Sequence, residues 1–197
     1  MKKIFCTLFF AVVGLTSFAQ SKSDSSKHLS FKGVPINGTL AEYVSKMTMS
    51  GFTLTESENG ISILQGDFAS YKSCIVEVST LKTKDLVSKI AVRFPDGETW
   101  AFLSIMYFNL KEMLTQKYGN PSDTSETFQS HSQPESDLLK MSYVSSDKCK
   151  YHTTYETEKG SIYLSIEHDQ LLKCFVKLVY FDKINSETVK KQALDDL

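Results

Sequence analysis

Runs in which apolar and polar side chains alternate, punctuated by short turn signals, constrain this chain more than any other feature. Cys74, Val76 and Val78 alternate with Ile75, Glu77 and Ser79; Ile90, Val92 and Phe94 alternate with Lys89, Ala91 and Arg93. Successive side chains of a strand point to opposite faces, so such runs belong in an antiparallel sheet with one face buried and the other wet. Residues 52–57 and 61–65 flank Asn59-Gly60, two residues that tolerate positive φ and so predict a hairpin. Pro95-Asp96-Gly97 stops the run before it. Further strands are expected at 28–36, 138–144, 150–157, 161–168 and 173–181, with Glu158-Lys159-Gly160 as a tight connection.

Two helices interrupt the strands. Thr39-Leu40-Ala41-Glu42 matches a capping box, and Leu40, Tyr43, Val44 and Met47 follow at helical spacing until Gly51. A second helix is expected over about 99–118, with Trp100, Leu103, Tyr107, Leu110 and Leu114 as its apolar stripe and Gly119-Asn120-Pro121 as its end. Asn109-Leu110-Lys111-Glu112 could be an internal capping box, which leaves a break into two shorter helices open as the alternative. The polar stretch 122–137 reads as a loop with a strand near Thr127, and 186–194 as a short terminal helix. The pattern predicts an α+β fold: an antiparallel sheet of about eight strands with both main helices on one face. A helix followed by about four strands occurs twice, in units of about 29–97 and 98–197 within a single domain. The units end alike, in Val92-Arg93-Phe94-Pro95-Asp96 and Val179-Tyr180-Phe181-Asp182. This predicts a tandem repeat whose halves pair edge to edge.

The first 19 residues predict an export signal. Lys2 and Lys3 precede an apolar run from Ile4 to Leu15, and Ser17-Phe18-Ala19 supplies small residues at a cleavage site. The run is shorter than the ~20 residues that span a bilayer, so no membrane span is expected in the mature chain. Cys6 lacks a lipoprotein cleavage context. A disordered polar leader is expected over 20–28, and the product is periplasmic or secreted. Removing 19 of 197 residues, Lys2 and Lys3 among them, takes the formal charge from −1 to −3. Cys74, Cys149 and Cys174 remain, an odd number that allows one intrachain bridge at most. Stability therefore rests on the core, for which 13 Phe and 9 Tyr supply material. Arg93 is the only arginine among 22 basic residues, against 23 acidic ones, so no nucleic-acid partner is expected.

The search for chemistry returns no phosphate loop, nucleophile elbow, Cys-x-x-Cys or His-Glu-x-x-His. No catalytic, cofactor-binding or metal residue is therefore assigned, and no cofactor is expected. Three clusters remain. His152 with Glu167, His168 and Asp169 could converge on a metal or move a proton, although Glu167 and His168 point to opposite faces of a regular strand. Cys74, Cys149 and Cys174 are either nucleophiles or small apolar residues of the sheet. In a regular meander Cys149 and Cys174 begin strands separated by a third, with Cα atoms roughly 9–10 Å apart, so the ~7 Å a disulfide allows would need a bulge, a folded sheet edge or Cys149 outside its strand. Phe68, Tyr71, Tyr151, Tyr155 and Tyr163 either pack under the helices or line a recognition face. The expectation is a non-catalytic module binding an unknown protein or small-molecule ligand on its sheet face or loops. The alternative is an envelope hydrolase or metal-dependent enzyme using His152, Glu167 and His168.

The blocks Phe31-Lys32-Gly33-Val34-Pro35-Ile36-Asn37-Gly38-Thr39, Gly66-Asp67-Phe68 and Lys117-Tyr118-Gly119-Asn120-Pro121, with the stretch 149–182, resemble a family of uncharacterised exported proteins of gut Bacteroides-type bacteria. The resemblance carries over no activity and no functional residue. The repeated helix-plus-sheet plan is similar to that of beta-lactamase inhibitor protein-like modules, a likeness of topology alone.

Overall fold

The alternating runs form one eight-stranded antiparallel sheet. The computed structural model describes residues 27–81, 84–130 and 133–195. The expected signal peptide and its cleavage site lie outside them, as does most of the polar leader. The strands are β3 Thr53–Glu58, β4 Ile61–Phe68, β5 Tyr71–Leu81, β6 Lys84–Arg93, β7 Asp123–Phe128, β8 Cys149–Thr157, β9 Gly160–His168 and β10 Cys174–Asp182. They lie side by side in the order β3-β4-β5-β6-β10-β9-β8-β7. A separate pair, β1 Ser30–Phe31 and β2 Val34–Pro35, turns on Lys32 and Gly33 at positive φ where one longer strand was expected. The helices among the described residues are α1 Leu40–Met49, α2 Trp100–Tyr118, α3 Asp137–Ser145 and α4 Lys183–Asp195. None is long and apolar enough to cross a membrane. The fold is α+β.

Residues paired across strands share a face. Thr153, Leu164, Leu178, Val92, Val76 and Leu64 therefore form one row across six strands, and all are buried. Two residues along, Tyr155, Ile162, Tyr180, Ile90, Val78 and Ser62 form a second buried row. Each large apolar side chain buried here is worth ~1.5–3 kcal/mol, which makes these rows the main stabilising element. The Tyr107 hydroxyl of α2 bonds Thr153 at 2.6 Å. Tyr180 lies close to both Tyr43 of α1 and Tyr118 of α2. The edge strands β3 and β7 carry Glu56, Glu58, Asp123 and Glu126, charges that discourage pairing with another chain.

The capping box of α1 forms: Thr39 Oγ1 accepts from the Glu42 N–H at 3.3 Å, and Glu42 Oε2 accepts from the Thr39 N–H at 3.1 Å. The second box does not divide α2, because Leu110 and Leu114 continue the buried stripe of Leu103, Met106 and Tyr107. Packing outweighs the local cap there. The expected strand at 138–144 is instead α3. Ser136 caps it by accepting from the Leu139 N–H at 3.2 Å, and Val144 is its buried residue. The strand expected near Thr127 in the polar stretch 122–137 forms as β7, an edge strand paired with β8 from Asp123↔Thr154 to Phe128↔Cys149. Two turns depend on backbone freedom. Asn59 and Gly60 both take positive φ in the β3–β4 hairpin. At Gly160 a Cβ would run into the Phe181 carbonyl oxygen.

The ends of the domain meet at one buried carboxylate. Asp182, fully buried at the end of β10, accepts from His28 Nδ1 at 3.0 Å, the Leu29 N–H at 2.9 Å and the Asn185 N–H at 3.0 Å. His28, expected at the end of a disordered leader, is 3% exposed. The Asn185 amide donates to the Ile36 and Val87 carbonyls at 3.0 and 2.8 Å, tying α4 to β6. Asp182 thus also caps α4, which starts at Lys183 and not at 186.

Removing one member of a buried pair leaves the other uncompensated, at a cost of about 3–5 kcal/mol. Asp182→Ala and His28→Ala are each expected to lower the unfolding free energy by that order in urea titrations. The Tyr43 hydroxyl has the opposite role: it is buried with no hydrogen-bond partner among the described residues. Tyr43→Phe removes an unsatisfied polar atom and is expected to stabilise by up to about 1–2 kcal/mol in the same titration.

Candidate functional site

The alternate residues of the same strands face away from the core. His152, Ser165, Lys177, Arg93, Ile75 and Gln65 form one row of this second face. Thr154, Tyr163, Val179, Ala91, Glu77 and Ile63 form the next, and Glu156, Ser161, Phe181, Lys89, Ser79 and Ile61 a third. Ile61, Ile75 and Phe181 are each 41% exposed, so the face is open to solvent. At its middle, on β6 and β10, Ala91, Phe175 and Val179 are buried beneath longer neighbours.

Those neighbours form a charged lattice. The Arg93 guanidinium lies over the Phe175 ring at 3.9 Å and reaches Asp96 at 2.7 Å and Asp169 at 2.9 Å. Asp169 is fixed by its own turn, since its Oδ1 accepts from the Leu171 and Lys173 N–H groups at 2.8 and 3.0 Å. Lys177 pairs with Glu167 at 3.0 Å, and Ser165 donates to the same carboxylate at 2.7 Å. Glu77 pairs with Lys89 at 2.9 Å and accepts from Ser79 at 2.7 Å. Half-exposed pairs of this kind each add at most about 1 kcal/mol. They fix side-chain positions and mask apolar area more than they stabilise.

The residues singled out in the sequence divide between the faces. Phe68 and Tyr71 pack with Phe31 and Phe94 against the core. Tyr155 is 1% exposed, with its hydroxyl donating to the Lys111 carbonyl at 2.9 Å. Tyr151 packs edge-on against Trp100 and Tyr107. A face lined by tyrosines is therefore not what the strands present, and of these five only Tyr163 belongs to the open face. Register parity decides this: 151 and 155 share the face of Thr153.

His152, Glu167 and His168 line one cavity of about 250 Å³ at the end of β8 and β9. The β8–β9 ladder stops at His152↔Ser165, and the strands separate beyond it. Each group has its own partner. His152 Nε2 meets Asp123 at 3.2 Å, with its ring stacked on Tyr163. His168 Nε2 meets Asp147 at 3.2 Å, and its Nδ1 donates to the Asp169 carbonyl at 2.9 Å. That carbonyl bond raises the His168 pKa against the opposing effect of desolvation, and Asp147 adds to the rise. Among the described residues, no group of three or more His, Cys, Asp or Glu side chains is placed to hold a metal ion. A wider concavity between α1 and β3–β5, lined by Val44, Thr48, Leu54, Ser57 and Ser62, went unseen in the sequence. It joins a helix flank to an edge hairpin, which no local pattern encodes. Asp85, the one carboxylate of its lining among the described residues, accepts from the Leu40 N–H at 2.9 Å.

Cys74, Cys149 and Cys174 are free thiols. Burial pushes Cys74 up to about 11 and Cys149 up to about 12, and raises Cys174 too, which leaves them protonated at neutral pH. Such thiols are poor nucleophiles.

Burial by itself would raise the Glu77 carboxyl, but the Lys89 and Ser79 hydrogen bonds and the charges of Lys89 and Lys177 outweigh it and hold it below its ordinary 4.5. A depressed folded value stabilises fully above the unfolded value, and the gain disappears as pH falls through the folded one. Glu77→Gln is expected to be less stable than the parent at pH 7. The gap should close on acidification below pH 4.5, read as unfolding midpoints across pH 2–7.

No family model matches the chain, and neither a curated protein nor a solved structure matches it.

Proposed function

We propose that this is an exported envelope protein that acts by non-catalytic binding through the open face of its sheet. The observation that carries the reading is the strip Ala91–Phe175–Val179, masked by ion-paired long side chains and flanked by exposed Ile75 and Phe181. Paired charges around an apolar centre suit recognition, because a partner's charges can replace the intramolecular ones while the apolar strip is covered. The basic, apolar and small-residue segments of positions 1–19 support export into the periplasm or beyond. We read the two helix-plus-four-strand units as a tandem repeat whose innermost strands, β6 and β10, build this strip together. The likeness to exported gut-bacterial proteins belongs to the same proposal.

The cavity shared by His152, Glu167 and His168 favours a second reading, a small-molecule or hydrolytic site. Its volume of about 250 Å³ falls below the ~300–1,000 Å³ usual for ligand pockets.

The test is capture of an envelope component by the immobilised protein, repeated with Lys177→Glu and Phe181→Asp on the open face and Lys46→Glu on the outer side of α1. The reading expects loss with the first two and retention with the third. Capture indifferent to the face variants would sink it. Turnover of an ester, amide or phosphate substrate that His152→Ala abolishes would replace it with the second reading.

A further inference from the structure

The two edges of the sheet are not alike. At β7, Glu126 pairs with Lys111 and Asp123 with His152, so each carboxylate has a partner within the fold. At β3 all six residues are exposed, and neither Glu56 nor Glu58 has an ion-pair partner among the described residues. Glu58 accepts from the neighbouring Asn59 amide at 3.0 Å. No described strand continues the sheet beyond β3, so alternate N–H and C=O groups along it point outward without a ladder. The helix side of this edge is open as well. Leu54 lies across from Leu64 and Ser57 across from Ser62, which sets both on the face that α1 covers elsewhere. With ten residues against nineteen in α2, α1 stops short of them, and Leu54 stays 42% exposed. The concavity between them and Val44 and Thr48 of α1 measures about 1170 Å³.

We propose that β3 accepts a further strand from a basic, extended peptide segment of another protein. Added strands bind through main-chain hydrogen bonds, and their alternate side chains are read by what stands beside them. One set would lie beside Glu56 and Glu58, two carboxylates roughly 6.6 Å apart along the strand, the spacing of every second residue of a partner strand. Lys or Arg fits there, because opposite charges across a strand pair attract and like charges repel. The other set would lie beside Leu54 and Ser57 and enter the concavity under α1, which suits aliphatic side chains. The same carboxylates turn away a second copy of this chain, since β3 and β7 both present acidic edges. The cations of the concavity, Lys84 and Lys89, stand on β6, three strand spacings or roughly 14 Å from β3, and Lys89 is paired with Glu77. A bulge at Thr55, whose hydroxyl donates to the Ile63 carbonyl at 3.0 Å, bends the edge. It bars the long flat pairing of aggregation and leaves room for a short segment. The strip on β6 and β10 lies at least three strands away, so this surface is separate from it.

The test is fluorescence anisotropy of the folded protein with three labelled eight-residue peptides: alternating Lys and Val, alternating Glu and Val, and the Lys-Val composition arranged in two blocks. The alternating basic peptide is expected to bind, the acidic one not to bind, and the blocked one to bind about tenfold more weakly. Glu56→Lys/Glu58→Lys replaces two exposed side chains and should leave the circular-dichroism spectrum unchanged. It should weaken the basic peptide about tenfold and admit the acidic one. Amide hydrogen exchange should slow in β3, and not in β7, when the basic peptide is bound. No binding of the basic peptide at 1 mM overturns the proposal, as does equal binding of the blocked peptide or indifference to the charge reversal. Protection that appears at β7, or at neither edge, overturns it too. Lys177→Glu and Phe181→Asp should leave these readouts unchanged, so the edge and the open face stand or fall separately.

Discussion

Pairing of β6 with β10 is the constraint on which the rest of this structure depends. Arg93 opposite Lys177, Val92 opposite Leu178 and Ile90 opposite Tyr180 set the register that aligns the core rows across both halves. Phe94 and Gly97 prolong the seam, with N–H bonds to the carbonyls of Val176 at 3.0 Å and Cys174 at 2.8 Å. Without it, each four-strand unit would end in an apolar strand with a row of unpaired backbone groups, the most hazardous edge a sheet can present. With it, the remaining edges are β3 and β7, both rich in acidic and hydroxyl side chains. The strands that most need covering are central, and those that can face water are outermost.

The same seam generates the chemistry of the open face. Register sets Arg93 beside Lys177, two like charges that would repel if left alone. Asp96 and Asp169 offset the first, and Glu167 the second. The aromatic ring of Phe175 then fills the space under the guanidinium. The pattern of acids on this face thus follows from the strand pairing: wherever the seam places a cation, a carboxylate from a neighbouring strand or turn answers it.

Much of this was legible in the chain because period-two alternation is a direct imprint of a one-sided sheet. The α+β class, α1 with its capping box and the central strands follow from it. Residues 138–144 misled because Leu-Leu-Lys-Met-Ser-Tyr-Val is apolar enough for either periodicity. The helix is decided by the Ser136 cap, one residue ahead of α3. Strand β7 was legible only near Thr127, because an edge strand needs few apolar residues and Asp-Thr-Ser-Glu before it is as polar as a loop. Tyr151 and Tyr155 were open to two readings because alternation separates two faces without saying which is buried. His152 and Glu167 were rightly placed near one another, but their separate partners Asp123 and Lys177 come from other strands. The bond between His28 and Asp182 spans 154 positions, and no local pattern encodes it.

That last bond also orders events in time. Asp182 ends β10, so the partner of His28 is made after the other seven strands of the sheet. A chain emerging amino end first holds His28, β1 and the first four strands of the sheet long before β10 exists to receive them. Until then the innermost strand of the first half has no neighbour, and contacts of such long sequence separation form slowly. The first half of the sheet is thus closed only by the strand that is made last of the eight.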